Sequence, residues 1–174
     1  MSLLDKIESR EATVAVIGLG YVGLPLAVAF AEAGFRAVGV DIDADRVDAL
    51  NRGASYVSDV PAERLAPLVA AVNSEQYTVI SDQSPVNSEQ LEPNPKAETC
   101  AEPGRSIRKP KSESGCLSAT TDFDALYDAD AVIICVPTPL GKTKDPDLSH
   151  IIAATDAIAQ CLHRDMLIVL ESTT

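Results

Sequence analysis

The sequence predicts an α/β domain, a doubly wound parallel sheet with helices on both faces. Three observations predict it: short aliphatic runs of strand length, helix-periodic segments between them, and the hexapeptide Gly18-Leu19-Gly20-Tyr21-Val22-Gly23 where the first run gives way to the first helix. Thr13 to Ile17 is mostly aliphatic, as suits a strand buried on both faces, and it stops at glycine. Val22 to Ala33 is rich in Ala, Leu and Val and reads as a helix. Pro25 falls in its first turn, where a missing N–H costs little, and Gly34 ends it. Ala37 to Val40 is the second strand. Asp45 to Asn51 forms a helix closed by Gly53, and Pro61 opens another over Ala62 to Val72. Further on, Leu117 to Thr121 reads as a strand, Phe123 to Tyr127 as a short helix and Ala131 to Val136 as a strongly buried strand. Asp147 is the expected N-cap of a helix whose apolar residues Ile151, Ala154, Ile158 and Cys161 or Leu162 recur at helical spacing. Met166 to Leu170 is the fifth strand.

Between the two halves the composition changes. From Asn73 to Gly115 only 9 of 43 residues are apolar, yet 5 of the 11 prolines lie there, so the segment lacks the side chains to collapse by itself. The pentapeptide Val-Asn-Ser-Glu-Gln occurs at Val72 to Gln76 and again at Val86 to Gln90, and two copies do not make a solenoid. The expectation is a disordered insertion, with a partner-binding lid as the alternative.

The glycine pattern carries the first functional reading. Gly18 permits a tight turn, Gly20 has no Cβ to hold a pyrophosphate away from the backbone, and Gly23 lets helix and strand approach closely. Leu19, Tyr21 and Val22 fill the turn, whose amides face an anion with the positive end of the helix dipole behind them. The second strand ends at Asp41, 23 residues after Gly18, where a carboxylate accepts from the adenosine ribose hydroxyls and repels a 2′-phosphate. NAD is therefore favoured over NADP, within a Rossmann-like fold. Arg46 either lies against the adenosine or pairs with Asp41. The alternative for Asp41, Asp43 and Asp45 is a run of acids suited to the start of a helix, and Asp43 and Asp45 are read as solvated.

Charge and cysteine usage narrow the function classes. Fourteen Lys and Arg stand against 26 Asp and Glu, a formal charge of −12, which repels nucleic acid and anionic membranes on average. The aliphatic runs fall far short of the ~20 residues a membrane helix needs, and the first ten residues have no secretory pattern; the expectation is a cytoplasmic location. Cys100, Cys116, Cys135 and Cys161 show no metal-ligand spacing and are read as free thiols, with no metal. His150 and His163 are read as solvated surface histidines.

Three longer stretches resemble the UDP-glucose/GDP-mannose dehydrogenase family: Ile17-Gly18-Leu19-Gly20-Tyr21-Val22-Gly23-Leu24-Pro25-Leu26-Ala27, Cys135-Val136-Pro137-Thr138-Pro139-Leu140 and Leu170-Glu171-Ser172-Thr173-Thr174. Gly53-Ala54-Ser55-Tyr56-Val57 looks closest to the branch that oxidises UDP-N-acetylhexosamines, in particular UDP-N-acetylglucosamine 6-dehydrogenase. The resemblance covers residues 12 to 72 and 116 to 174, the amino-terminal NAD-binding domain of that family, preceded by a segment of residues 1 to 11. It implies oxidation of a UDP-sugar at C6 to the uronic acid with two NAD, through a cysteine-bound thiohemiacetal and thioester. By motif match Thr138 corresponds to the family's active-site threonine, in a loop fixed by Pro137 and Pro139, with Val136 and Pro137 beside the cofactor. Glu171, Ser172 and Thr173 correspond to the stretch beside the nicotinamide half. Cap chemistry at a strand end, or a rigid loop exit, is the bland reading of these same residues.

The catalytic cysteine and its assisting residues lie on a carboxyl-terminal portion of the family, so the chain is expected to be truncated after the fifth strand, to bind NAD without turnover, and to associate through an uncovered edge strand. A 3-hydroxyacid-type dehydrogenase fragment and a non-catalytic nucleotide-binding interaction module are the alternatives. Limited proteolysis tests the organisation: the first cuts are expected between Asn73 and Gly115, and resistance throughout that stretch would mean that it is packed.

Overall fold

The computed structural model describes residues 1–76, 115–140 and 145–172. The expected insertion lies outside the described residues, apart from Gly115 and the four residues through Gln76 by which a helix outruns its expected end at Val72. In chain order the elements are α1 (Leu3–Glu8), β1 (Thr13–Ile17), α2 (Gly23–Glu32), β2 (Arg36–Val40), α3 (Ala44–Asn51), α4 (Ala62–Gln76), β3 (Cys116–Thr120), a 3-10 turn (Phe123–Asp128), β4 (Ala131–Ile134), α5 (Ser149–Cys161) and β5 (Leu167–Leu170). The strands form one sheet in the order β3-β2-β1-β4-β5, and every pairing is parallel. This is the doubly wound arrangement expected from the sequence, with the order reversing between β1 and β4.

Both faces of the inner strands are buried, which is why they read as unbroken apolar runs. Val14 and Val16 of β1 pack on one face with Leu24, Val28, Leu50 and Leu65 from α2, α3 and α4. Ala15 and Ile17 pack on the other with Leu126 and with Ala154, Ile158 and Cys161 of α5. The period of two along the strand thus assigns each side chain to a helical layer. Cys161 is a packing residue, as expected. The expected cap Asp147 stands one residue outside the N-cap, Leu148, and its Oδ1 accepts the Ser149 amide at 2.9 Å.

The two sheet edges differ. Along the outer edge of β3, the Asn51 side chain donates through Nδ2 to the Ala119 carbonyl and accepts the Ala119 amide on Oδ1, both at 2.9 Å, so a side-chain amide replaces a missing strand. At the opposite edge, Leu167, Ile168 and Leu170 of β5 are 44%, 44% and 47% exposed.

The first ten residues are tied to the sheet. In α1, Ser2 caps the Asp5 amide while Asp5 accepts the Ser2 amide, and Lys6 pairs with the carboxylate of Asp130. That carboxylate is buried, and its Oδ2 accepts the Thr13 amide at 2.9 Å. Composition alone gave no sign of this lock, because it joins residues 124 positions apart.

Register is what delivers residues to a site. Ile17 stands opposite Val40 on one side and Ile134 on the other, and Ile134 stands opposite Leu170. The carboxyl ends of β2, β1, β4 and β5 therefore form one row across the sheet. Residues 18, 41, 135 and 171 leave it side by side.

Candidate functional site

The glycine turn opens directly from that row. The Gly18 amide donates to the Val40 carbonyl at 2.8 Å, and the Cys135 amide to the Ile17 carbonyl at 2.8 Å, so the ladder extends one residue past β1 and β4. Gly18 has φ +90°, and a Cβ there would stand 2.7 Å from the Cys135 carbonyl oxygen. A Cβ on Gly23 would stand 1.8 Å from the Gly18 carbonyl oxygen, an impossible approach. These two glycines are demanded by the fold itself. Gly20 differs: nothing lies within 4 Å of the Cβ it lacks, and it lines a cleft.

Leu19 is the pivot of the turn. Its side chain is fully buried, worth about 2 kcal/mol, in space that Gly39 leaves free, since a Cβ on Gly39 would meet the Leu19 methyls at 2.6 and 2.8 Å. The Leu19 amide donates to Asp41 Oδ2 at 2.7 Å, and the Leu19 carbonyl accepts the Tyr56 hydroxyl at 2.9 Å. Tyr21 and Val22 are exposed, and α2 begins at Gly23 with no side chain capping its first turn.

Asp41 is buried at the end of β2, with its other oxygen accepting the Asp43 amide at 3.0 Å. Arg46 takes the paired alternative: its guanidinium lies 3.7 Å from Asp41 and 3.2 Å from Asp43, over the ring of Tyr56 with 5.9 Å to the centroid. Because Arg46 is 46% exposed, these pairs are worth at most about 1 kcal/mol and set orientation more than stability. Asp43 is not merely solvated. It caps α3 by accepting the Asp45 and Arg46 amides and holds Arg46 in place.

The other wall follows β4 and β5. Strand β4 stops at Ile134, so Cys135 and Val136, expected inside the strand, lie just beyond it and are half-buried. Pro137 is exposed and Thr138 partly so. The Glu171 amide continues the ladder to the Ile134 carbonyl at 3.0 Å, and the Ser172 hydroxyl donates to the Val136 carbonyl at 2.8 Å, tying the end of β5 to the loop that carries Thr138. Thr173 lies outside the described residues.

Together these elements enclose a cleft of about 750 Å³, inside the roughly 300–1,000 Å³ span of small-molecule sites. Gly18, Gly20, Tyr21, Val22, Asp41 and Arg46 line one side; Val136, Pro137, Thr138, Glu171 and Ser172 line the other. Of the candidate site residues, Leu19 and Gly23 shape the cleft from beneath rather than line it. Phe123, Ala153 and His150 line it too, and His150 is exposed, as expected, while bordering the cleft. Helical spacing alone carries no sign that the first turn of α5 borders the β2 end.

Cys135 also lines the cleft, but burial and then the nearby charge of Glu171 push its thiol up to about 11, so it is a protonated thiol at neutral pH. Cys116 and Cys161 are buried.

An uncapped helix start behind a glycine turn, with a buried strand-end carboxylate beside it at the reversal of strand order, defines a dinucleotide-binding α/β domain. The profile of the UDP-glucose/GDP-mannose dehydrogenase family, NAD binding domain, matches residues 12–92 and 94–174. UDP-N-acetyl-D-mannosamine dehydrogenase of Salmonella typhi is 32% identical over 162 residues, covering 93% of this chain and 28% of that protein. NDP-N-acetyl-D-galactosaminuronic acid dehydrogenase of Ralstonia nicotianae is 34% identical with the same two coverages, 93% and 28%. A structure of UDP-D-ManNAc dehydrogenase from Pyrococcus horikoshii superposes with a TM-score of 0.63 at 27% identity, covering 92% of this chain and 28% of that one. The chain belongs to the UDP-glucose/GDP-mannose dehydrogenase family, as its NAD-binding domain. It spans 28% of the length of these curated relatives. Among the described residues no helix is long and apolar enough to cross a membrane.

The thiol environment gives a pH test. With the folded value near 11, the thiolate fraction at pH 8 is about one part in a thousand and rises tenfold per pH unit. Alkylation of Cys135 in the native chain, followed by peptide mapping, is expected to accelerate steadily from pH 8 to about pH 10.5; a plateau near pH 9 would show an ordinary thiol. The unfolded chain releases that proton first, so this group's contribution to stability is lost as the pH climbs from about 9 to 11.

Proposed function

We propose that this chain binds NAD in the cleft as the cofactor domain of a UDP-N-acetylhexosamine 6-dehydrogenase. The single observation that supports the placement is the in-register row of strand ends, which sets the glycine turn, Asp41 and the Thr138 loop around one opening. In this reading the diphosphate lies over the Gly20 to Gly23 amides with Leu19, Tyr21 and Val22 completing the turn. Asp41 receives the adenosine ribose hydroxyls, and Arg46 flanks that ribose. Val136, Pro137, Thr138, Glu171 and Ser172 face the nicotinamide half, with Thr138 beside the reacting carbon and its water.

Both relatives described above are named for N-acetylated or N-acetyl-derived sugars, which supports the branch. Residues 53–57 favour the gluco epimer within it, whereas the Salmonella relative is named for the manno epimer. No thiol among the described residues is suited to hold an aldehyde: Cys116 and Cys161 are buried and Cys135 is held protonated. NAD binding without sugar turnover is the expected behaviour of this chain, in a cytoplasmic setting where NAD and nucleotide sugars meet.

Calorimetry tests the reading. The wild-type chain should bind NAD, and NADP about tenfold or more weakly because Asp41 repels a 2′-phosphate. Asp41→Ala should weaken NAD about tenfold and narrow the gap to NADP. Gly20→Ala should keep the fold, since its Cβ meets nothing, yet lose NAD; Gly23→Ala should fail to fold. Absence of heat with NAD, or no change in Asp41→Ala, overturns the reading, as would sustained NADH formation by this chain with UDP-N-acetylglucosamine or UDP-N-acetylmannosamine for the part concerning turnover.

The exposed edge of β5 supports pairing with a second copy, edge to edge about a two-fold axis. Sedimentation at rising concentration should show a dimer that Ile168→Lys removes; a concentrated monomer contradicts this.

A further inference from the structure

The glycine turn is gripped from outside the cleft by a tyrosine to which the sequence motifs assign no role. Tyr56, on the connection between α3 and α4, is half-buried and donates its phenolic hydrogen to the Leu19 carbonyl at 2.9 Å, while its ring carries the Arg46 guanidinium. Leu19 is thereby held at both ends of its backbone, its amide by Asp41 at 2.7 Å and its carbonyl by Tyr56. We infer that Tyr56 is a positioning residue for the diphosphate, which fixes the Leu19–Gly20 peptide plane so that the Gly20 N–H faces the cleft.

In a planar trans peptide the carbonyl of one residue and the N–H of the next point in opposite directions. The Leu19 carbonyl is committed to Tyr56, which stands outside the cleft lining, so the N–H of Gly20, a lining residue, is directed away from Tyr56. Rotation of that peptide would present a carbonyl oxygen where an anion has to sit. Glycine has little conformational resistance to such a rotation, so an external hold is needed. Burial, and secondarily the charge of Asp41, push the Tyr56 phenol up to about 12, which keeps it a donor at every physiological pH. The same side chain also seats Arg46 beside Asp41, so one residue sets both the phosphate turn and the ribose end.

The inference rests on the NAD reading and deepens it, and the experiment separates the two. NAD, ADP-ribose and adenosine are titrated into the wild-type chain and Tyr56→Phe, which keeps the ring under Arg46. Loss of one neutral hydrogen bond should weaken NAD and ADP-ribose about fivefold, with adenosine changed less than about twofold. Equal NAD affinity in the two proteins, or an equal loss for adenosine, overturns the positioning role while leaving NAD binding intact. Failure of the wild type to bind NAD overturns the underlying reading as well. Should Tyr56→Phe not fold, amide exchange in the wild type decides: NAD is expected to slow exchange of the Gly20 N–H at least fivefold, and an unchanged rate overturns the inference.

Discussion

Parallel pairing of strands buried on both faces leaves little freedom of register, because a slip by one residue would send every apolar side chain to the wrong helical layer. In this chain that constraint ends β2, β1, β4 and β5 on a common row. The candidate site is hung from that row. The turn after β1, the carboxylate after β2, the loop after β4 and the hydroxyl after β5 converge without a long-range contact designed for each, since the sheet has already aligned their backbones.

The glycines divide along the same line. Gly18 and Gly23 serve the fold, one by its positive φ and its closeness to the Cys135 carbonyl, the other by its contact with Gly18. Gly20 serves no packing purpose: the space beside it is open and belongs to the cleft. A motif of three identical residues thus holds two kinds of constraint, and only the surroundings of each reveal which is which. Leu19 joins the two, buried beneath the turn while its backbone connects Asp41 with Tyr56.

The electrostatics follow a similar economy. The chain carries a formal charge of −12, yet the cleft offers an anion an uncapped helix start and Arg46. The dipoles at the turn act over a few ångströms and the acids outside the cleft are weakened by solvent and salt, while of the acids that line it Asp41 and Asp43 share Arg46 and Glu171 stands across at the end of β5. Arg46 remains near the site because Asp41 and Asp43 share it, and its half-exposed guanidinium contributes to placement and little to folding energy.

The sequence by itself determined the order of strands and helices from β1 onward, the glycine turn, and the acid closing the second strand, because each is a local pattern: period, composition or spacing along the chain. Thr138, Glu171 and Ser172 were legible through longer motifs. Tertiary structure alone decided the row that unites them, the tie from Ser172 to Val136, the grip of Tyr56 on Leu19, the lock between Lys6 and Asp130, and the entry of His150 into the cleft wall. Those contacts join residues from 23 to 124 positions apart, and no local regularity records a distance that only a completed sheet can close.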